Sequence, residues 1–188
     1  MDPFHVLIAT VLSHRTKDIN TYRAAKQLFS RFDGPKEIAE ADISTIEELV
    51  RPSGFYKVKA RGIKSICIEL VKRFDGQVPS SMEDLLTLPM VGRKTANCVL
   101  SYGFGQDGLC VDIHVHRISN RLGWVRTEHP DETEMELKRI VPRPLWCDIN
   151  SALVRFGQKT CLPRNPKCSG CMLVRGCEHG RKVMGLND

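Results

Sequence analysis

Several things are missing from this chain, and each absence narrows what it can be. No apolar run approaches the ~18 residues that a membrane-spanning helix needs, so no membrane partner is expected. The apolar stretch Val6 to Leu12 follows Asp2 rather than a basic segment and leads straight into His14, Arg15 and Lys17, which is not a secretory signal. There is no convincing strand pair, no repeat, no low-complexity tract and no obvious linker. What is present is 188 residues, 41% hydrophobic and 27% charged, the balance of an ordinary globular protein with one large or two small cores. A net charge of +6 raises the expectation of a polyanionic partner, though many equally basic proteins bind no nucleic acid. Without an export signal the expected home is the reducing cytosol, where clustered cysteines bind metal more often than they pair.

Helical periodicity accounts for nearly every long segment, so an all-α globule is expected. Phe4, Leu7, Ile8, Val11 and Leu12 line one face of a first helix begun by Pro3. Asp18 can cap a second, with Ile19, Tyr22 and Leu28 facing inward. Ser44-x-x-Glu47 has capping-box spacing, and Pro52-Ser53-Gly54 closes the helix it begins. Tyr56, Ile63, Ile66, Cys67, Leu70, Val71 and Phe74 form the longest stripe, ended by Gly76. Val111, Val115, Ile118 and Leu122 define a later helix ending at Gly123, and two more follow around Leu137 to Val141 and Trp146 to Phe156.

The chain is organised around Leu88 to Leu100, reading LPMVGRKTANCVL. Ser80-x-x-Glu83 starts a short helix before it, and Pro89 stops that helix because it cannot donate a backbone N–H. Gly92 offers a tight turn, and a second helix follows with Ala96, Val99, Leu100 and Gly103 on one face. The unit is helix, hairpin, helix. Its second helix opens with free N–H groups and a positive dipole end, a seat for a phosphate, with Lys94 beside it.

Of eight cysteines, Cys67, Cys98, Cys110 and Cys147 sit singly among apolar neighbours and read as buried thiols. The others form Cys161-x6-Cys168-x2-Cys171-x5-Cys177, four thiols within 17 residues. Structural zinc more often takes two close pairs, and this uneven run suits a cubane better. On spacing alone zinc and free thiols both stay open. Between the first two lies Pro163-Arg164-Asn165-Pro166-Lys167, a stiffened loop with two cations that could equally be ordinary solvated charges.

LPMVGRKTA, the Gly103 to Gly108 glycine-rich segment, Val111-Asp112-Ile113-His114-Val115-His116-Arg117 and the four-cysteine run together resemble the endonuclease III family of helix–hairpin–helix DNA glycosylases and AP lyases. The similarity extends from Pro3 to about Cys177. The resemblance implies a six-helix barrel-like domain over 1–106, with the hairpin motif at about 82–104. A helical domain over 107–188 would carry Asp112 and a [4Fe–4S] cluster held by Cys161, Cys168, Cys171 and Cys177. A DNA-binding cleft would lie between them. A leading helix usual in the family is expected to be lacking here. The implied partner is double-stranded DNA with damaged bases or abasic sites, met by a monomer in the cytoplasm at the nucleoid. The implied contacts are Val91, Gly92, Arg93 and Thr95 around the hairpin, His114, and Arg164 and Lys167 in the cysteine loop. Arg15 stands where the family has a glutamine, and Phe55 where it has an aliphatic wedge. Met90 replaces the hairpin's first glycine.

The resemblance also implies roles for Lys94 and Asp112. An amine attacks carbon only when unprotonated, and at a pKa near 10.4 roughly 0.04% is free at pH 7. A helix N-terminus, a neighbouring Arg93 and partial burial all favour the neutral form. Taken alone, a lysine after a hairpin is more often a phosphate contact, Asp112 an N-cap, and Phe55 simple packing. By resemblance Lys94 is the nucleophile of a bifunctional glycosylase acting on oxidised pyrimidines, and Asp112 assists it. The alternatives are a monofunctional mismatch glycosylase, which generally lacks that lysine, and a non-catalytic DNA-binding module.

Overall fold

The computed structural model describes residues 1–186, and among them only helices and connecting loops form. They divide into two compact units, Met1–Gln106 and the remainder from Asp107.

The first unit begins with α1 (Pro3–Ser13), whose start is fixed by Asp2 accepting from the His5 N–H at 2.8 Å. Its face of Phe4, Leu7, Ile8, Val11 and Leu12 is buried as the spacing predicts. In α2 (Asp18–Phe29) the spacing misleads. Asp18 is the first helical residue rather than the cap, and Ile19 and Tyr22 lie 55% and 63% exposed. Ala24 and Leu28, one turn apart, are the residues that reach the core. Ile19 points about 140° away from Ala24 around the helix. A short α3 (Pro35–Glu40), announced only by its initial proline, leads to α4 (Ile43–Leu49). There Asp42 occupies the cap position, so Ser44 lies inside the first turn and its capping box does not form.

The longest helix, α5 (Tyr56–Phe74), buries Ala60, Ile63, Ile66, Cys67 and Leu70 completely. Each large aliphatic among these contributes about 1.5–3 kcal/mol. The helix ends in a Schellman-type turn with Asp75 left-handed at φ 50° and the Gly76 N–H reaching Leu70 O at 2.9 Å. α6 (Met82–Leu86) and α7 (Arg93–Cys98) frame the hairpin, and α7 continues as a π-helical turn over Val99–Gly103. Gly103 is needed there because a Cβ would stand 2.9 Å from the Pro3 backbone.

The second unit holds α8 (Ile113–Leu122), α9 (Pro130–Ile140), α10 (Trp146–Lys159) and α11 (Glu178–Met184) around Leu109, Val115, Ile118, Leu137 and Leu153. Gly123, at φ 83°, ends α8. Cys67, Cys98 and Cys110 are buried thiols, but Cys147 is exposed, because it falls on the outer face of α10. No helix among the described residues is long and apolar enough to cross a membrane.

Candidate nucleic-acid and catalytic site

The hairpin takes its shape from a residue other than the expected one. α6 is capped by Ser81, whose Oγ accepts from the Asp84 N–H at 3.1 Å, so the cap lies one residue after Ser80. The chain then turns with Met90 at φ 61°. Left-handed backbone costs a non-glycine residue about 1–2 kcal/mol. Met90 retains that conformation with its thioether seated in a notch at Gly62 of α5, where a Cβ would lie 1.8 Å from Sδ. Gly92, at φ −98° and ψ 177°, is in extended backbone open to any residue. No protein atom comes within 4 Å of a Cβ built at Gly92, so its value is an uncovered backbone edge that a ligand can approach.

Arg93 and Lys94 follow in the first turn of α7, both half-buried, with Thr95 buried behind them. Val91 is only 7% exposed and its N–H is engaged with Leu88 O at 3.2 Å, so it contributes shape to the turn. Thr95 Oγ1 lies 3.2 Å from Nε2 of His14, linking the start of α7 to the loop after α1. Burial, then the charges of Lys94 and Lys59, holds the His14 ring below its ordinary pKa of 6.5.

That loop carries Arg15, and the loop before α5 carries Phe55. Both residues are exposed and left-handed, at φ 51° and 57°, and the Arg15 guanidinium carbon stands 6.0 Å from the centre of the Phe55 ring. The loops meet closely: a Cβ on Gly54 would lie 3.0 Å from Arg15 O. Between them sits the buried Nζ of Lys59, 2.7 Å from Leu12 O, 2.6 Å from His14 O, 2.8 Å from Thr16 Oγ1 and 2.9 Å from Ser53 Oγ.

In the second unit Asp112 caps α8. One carboxylate oxygen accepts from the N–H groups of His114 and Val115 at 2.8 and 2.9 Å. Asn150 of α10 steadies the approach by donating to Cys110 O at 3.0 Å. Asp112 stays half-buried. His114 packs against Gly157 and has Nδ1 3.1 Å from Arg117, while His116 bonds Thr133 Oγ1 at 2.7 Å, a structural setting.

Cys161, Cys168, Cys171 and Cys177 border one small cavity whose other walls include Ile118, Leu122 and Phe156. Arg121 reaches into it, with Nη1 3.3 Å from Cys161 Sγ and 2.7 Å from Leu162 O, and Nη2 2.9 Å from Pro163 O. The Gly180 N–H points at Cys177 Sγ from 3.3 Å. Desolvation, then repulsion from the other three cysteines, raises the Cys168 thiol, a crowding that a bound cationic group relieves. Among the described residues no three His, Cys, Asp or Glu side chains converge as a single metal ion requires. Arg164 and Lys167 project from the loop, exposed, on either side of Asn165 at φ 50°.

Among the described residues, five non-glycine residues have positive φ: Arg15, Phe55, Met90, Asn165 and the α5 cap Asp75. Four of them therefore mark the loops whose residues were singled out for DNA contact or hairpin geometry. Strained backbone of this kind persists only where its surroundings over-determine it. Two participants were not anticipated, His14 and Lys59. The signal for Lys59 was available: it occupies the apolar stripe of α5, four residues before Ile63.

The family model described as HhH-GPD superfamily base excision DNA repair protein matches residues 8–143. Endonuclease III of Thermotoga maritima is 51% identical over 181 residues, 96% of this chain and 85% of the relative. Endonuclease III of Synechocystis sp. is 39% identical over 176 residues, 93% and 80% respectively. A trapped endonuclease III–DNA covalent intermediate superposes with a TM-score of 0.91 at 36% identity, covering 98% of this chain and 87% of that one. A thermostable thymine-DNA glycosylase superposes with a TM-score of 0.85 at 26% identity, over 96% and 85%.

Proposed function

The chain belongs to the HhH-GPD superfamily of base excision DNA repair proteins, and from that premise we propose a bifunctional DNA glycosylase and AP lyase that removes oxidised pyrimidines through Lys94. The observation that carries this reading is the half-buried Lys94 in the first turn of α7, directly after the exposed backbone edge at Gly92. Phosphate would settle on that edge and on the N–H groups of the helix start, flanked by Arg93. The damaged nucleotide is extruded at a cost of a few kcal/mol, which a lesion lowers. Arg15 and Phe55 then enter the vacated stack, and an arginine there reads the orphaned base differently from an amide.

In the reaction the neutral Nζ of Lys94 forms a bond to C1′ and the glycosidic bond breaks, its electron pair leaving with the base. Asp112 stabilises positive charge developing on the sugar. The ring opens to a Schiff base, which acidifies the C2′ proton. Loss of that proton expels the 3′ phosphate by β-elimination, and water hydrolyses the imine to free the lysine.

The four thiols fit an iron–sulfur cluster, which is typical of the family. They border one cavity, where Cys161 receives the Arg121 guanidinium and Cys177 a backbone N–H. Such a cluster supplies a covalent brace rather than redox chemistry at the base. Cys161, Cys168, Cys171 and Cys177 would hold it, and Arg121 would orient the loop that presents Arg164 and Lys167 to phosphates.

The likeness to a thymine-DNA glycosylase favours one competing reading, a monofunctional mismatch enzyme acting without a covalent intermediate. Borohydride trapping on abasic-site DNA decides between them. A covalent adduct that disappears in Lys94→Gln is expected; no adduct from the wild-type protein refutes the lyase. Lesion preference is read from an incision panel of oxidised, hydrated and mismatched bases, and monomeric state from sedimentation.

A further inference from the structure

Lys59 is a cation on the core-facing stripe of a helix, 2% exposed, where a leucine or methionine would satisfy packing at no electrostatic cost. Burying an ammonium is costly unless its protons are bonded. Here its three protons are shared among four neutral oxygens, and these come from two separate stretches of chain, the end of α1 with its following loop and the loop before α5. Leu12 lies in the last turn of α1, His14 and Thr16 in the loop that follows it, and Ser53 in the segment before α5. The acceptors are also bonded to one another across the gap. Gly54 donates to Thr16 Oγ1 at 3.0 Å, Ser53 Oγ donates to Leu12 O at 3.0 Å, and the two hydroxyls stand 3.3 Å apart.

Arg15 lies between two of the bonded residues, and Phe55 follows Gly54 directly. Neither makes a bond to the lysine, yet both are left-handed and exposed, with the guanidinium facing the ring. Two adjacent strained tips need something rigid beneath them. Resting on the glycosylase reading above, we propose that Lys59 is a positioning residue. Its buried ammonium clamps the two loops together, so that Arg15 and Phe55 enter the duplex as one preset probe. Burial pushes its amine down to about 8, which still leaves roughly nine-tenths protonated at pH 7 to donate all three protons. The plainer alternative is that Lys59 only satisfies carbonyls at the end of α1, as cations near helix C-termini do. That role would affect stability and treat every substrate alike.

Two substrates separate the possibilities. A duplex with one oxidised pyrimidine requires the probe to fill the stack, whereas a single strand bearing an abasic aldehyde exposes its sugar to Lys94 without one. Below the melting temperature, Lys59→Met should slow single-turnover excision from the duplex by about ten- to a hundredfold, the usual penalty of misplaced groups. Borohydride trapping on the single strand should stay within about twofold, because its geometry does not use the loops. The fluorescence rise of 2-aminopurine placed opposite the lesion, which reports unstacking, should be lost in parallel. Thr16→Val, which removes one acceptor while keeping the side-chain shape, should show the same split more weakly, and it carries the test if Lys59→Met does not fold. Equal losses on both substrates, or an unchanged 2-aminopurine signal, overturn the clamp while leaving the lyase intact. Absence of any adduct from the wild-type protein on either substrate overturns the lyase and the clamp with it.

Discussion

The seat of Met90 over Gly62 gives a prediction whose size can be worked from the structure. Replacing glycine by alanine inside α5 should by itself gain about 0.8–1 kcal/mol of helix propensity. The new methyl, however, would stand 1.8 Å from Met90 Sδ, so the thioether must leave its notch. Met90 is 38% exposed, so rather more than half of its side chain is covered. Expelling it forfeits about 1–2 kcal/mol of the 1.5–3 kcal/mol that full burial of a methionine is worth. Gly62→Ala alone is therefore expected to be neutral to about 1 kcal/mol destabilising. In a Met90→Gly background nothing occupies the notch, and the same substitution should stabilise by about 1 kcal/mol. The coupling in the double-mutant cycle is thus about 1–2 kcal/mol. Urea denaturation of the four proteins measures it, provided the m-value stays constant across the set. Additivity within about 0.5 kcal/mol would refute the claim that the hairpin's left-handed turn is held by the seat on α5.

Asp112→Ala should cost about 1 kcal/mol in thermal stability through loss of the cap, together with strand cleavage. Asp112→Asn keeps the cap acceptor and should lose only the cleavage, so an Asn variant cutting at the wild-type rate would remove the charge from the mechanism. Arg164→Gln and Lys167→Gln should each reduce the slope of log affinity against log salt by about 0.9, irrespective of sequence; unchanged slopes make them ordinary solvated charges. His14, whose folded pKa is depressed below 6.5, is bound by more protons in the unfolded chain just beneath that pH, so stability should fall as pH drops through this window. His14→Gln should flatten that slope in acid-range melts; no change in slope refutes the assignment.

The features legible in the sequence are those decided within a turn or two of chain. The buried face of α1, the stripe of α5, the Asp112 cap, the stop at Pro89 and the four-thiol run all follow from spacings of three and four residues or from one residue's own backbone limits. Local signals are also where neighbouring candidates compete, which is why the caps moved from Ser80 to Ser81 and from Ser44 to Asp42. What only the tertiary structure decided depends on residues far apart in sequence. The exposure of Ile19 and Tyr22 follows from which face of α2 finds the core. The left-handed Met90 depends on a glycine 28 positions earlier, and the buried charge of Lys59 on carbonyls more than forty positions earlier. Periodicity records which side of a helix is apolar. It cannot record which distant oxygen stands opposite a lysine, because that oxygen arrives only when the helices pack.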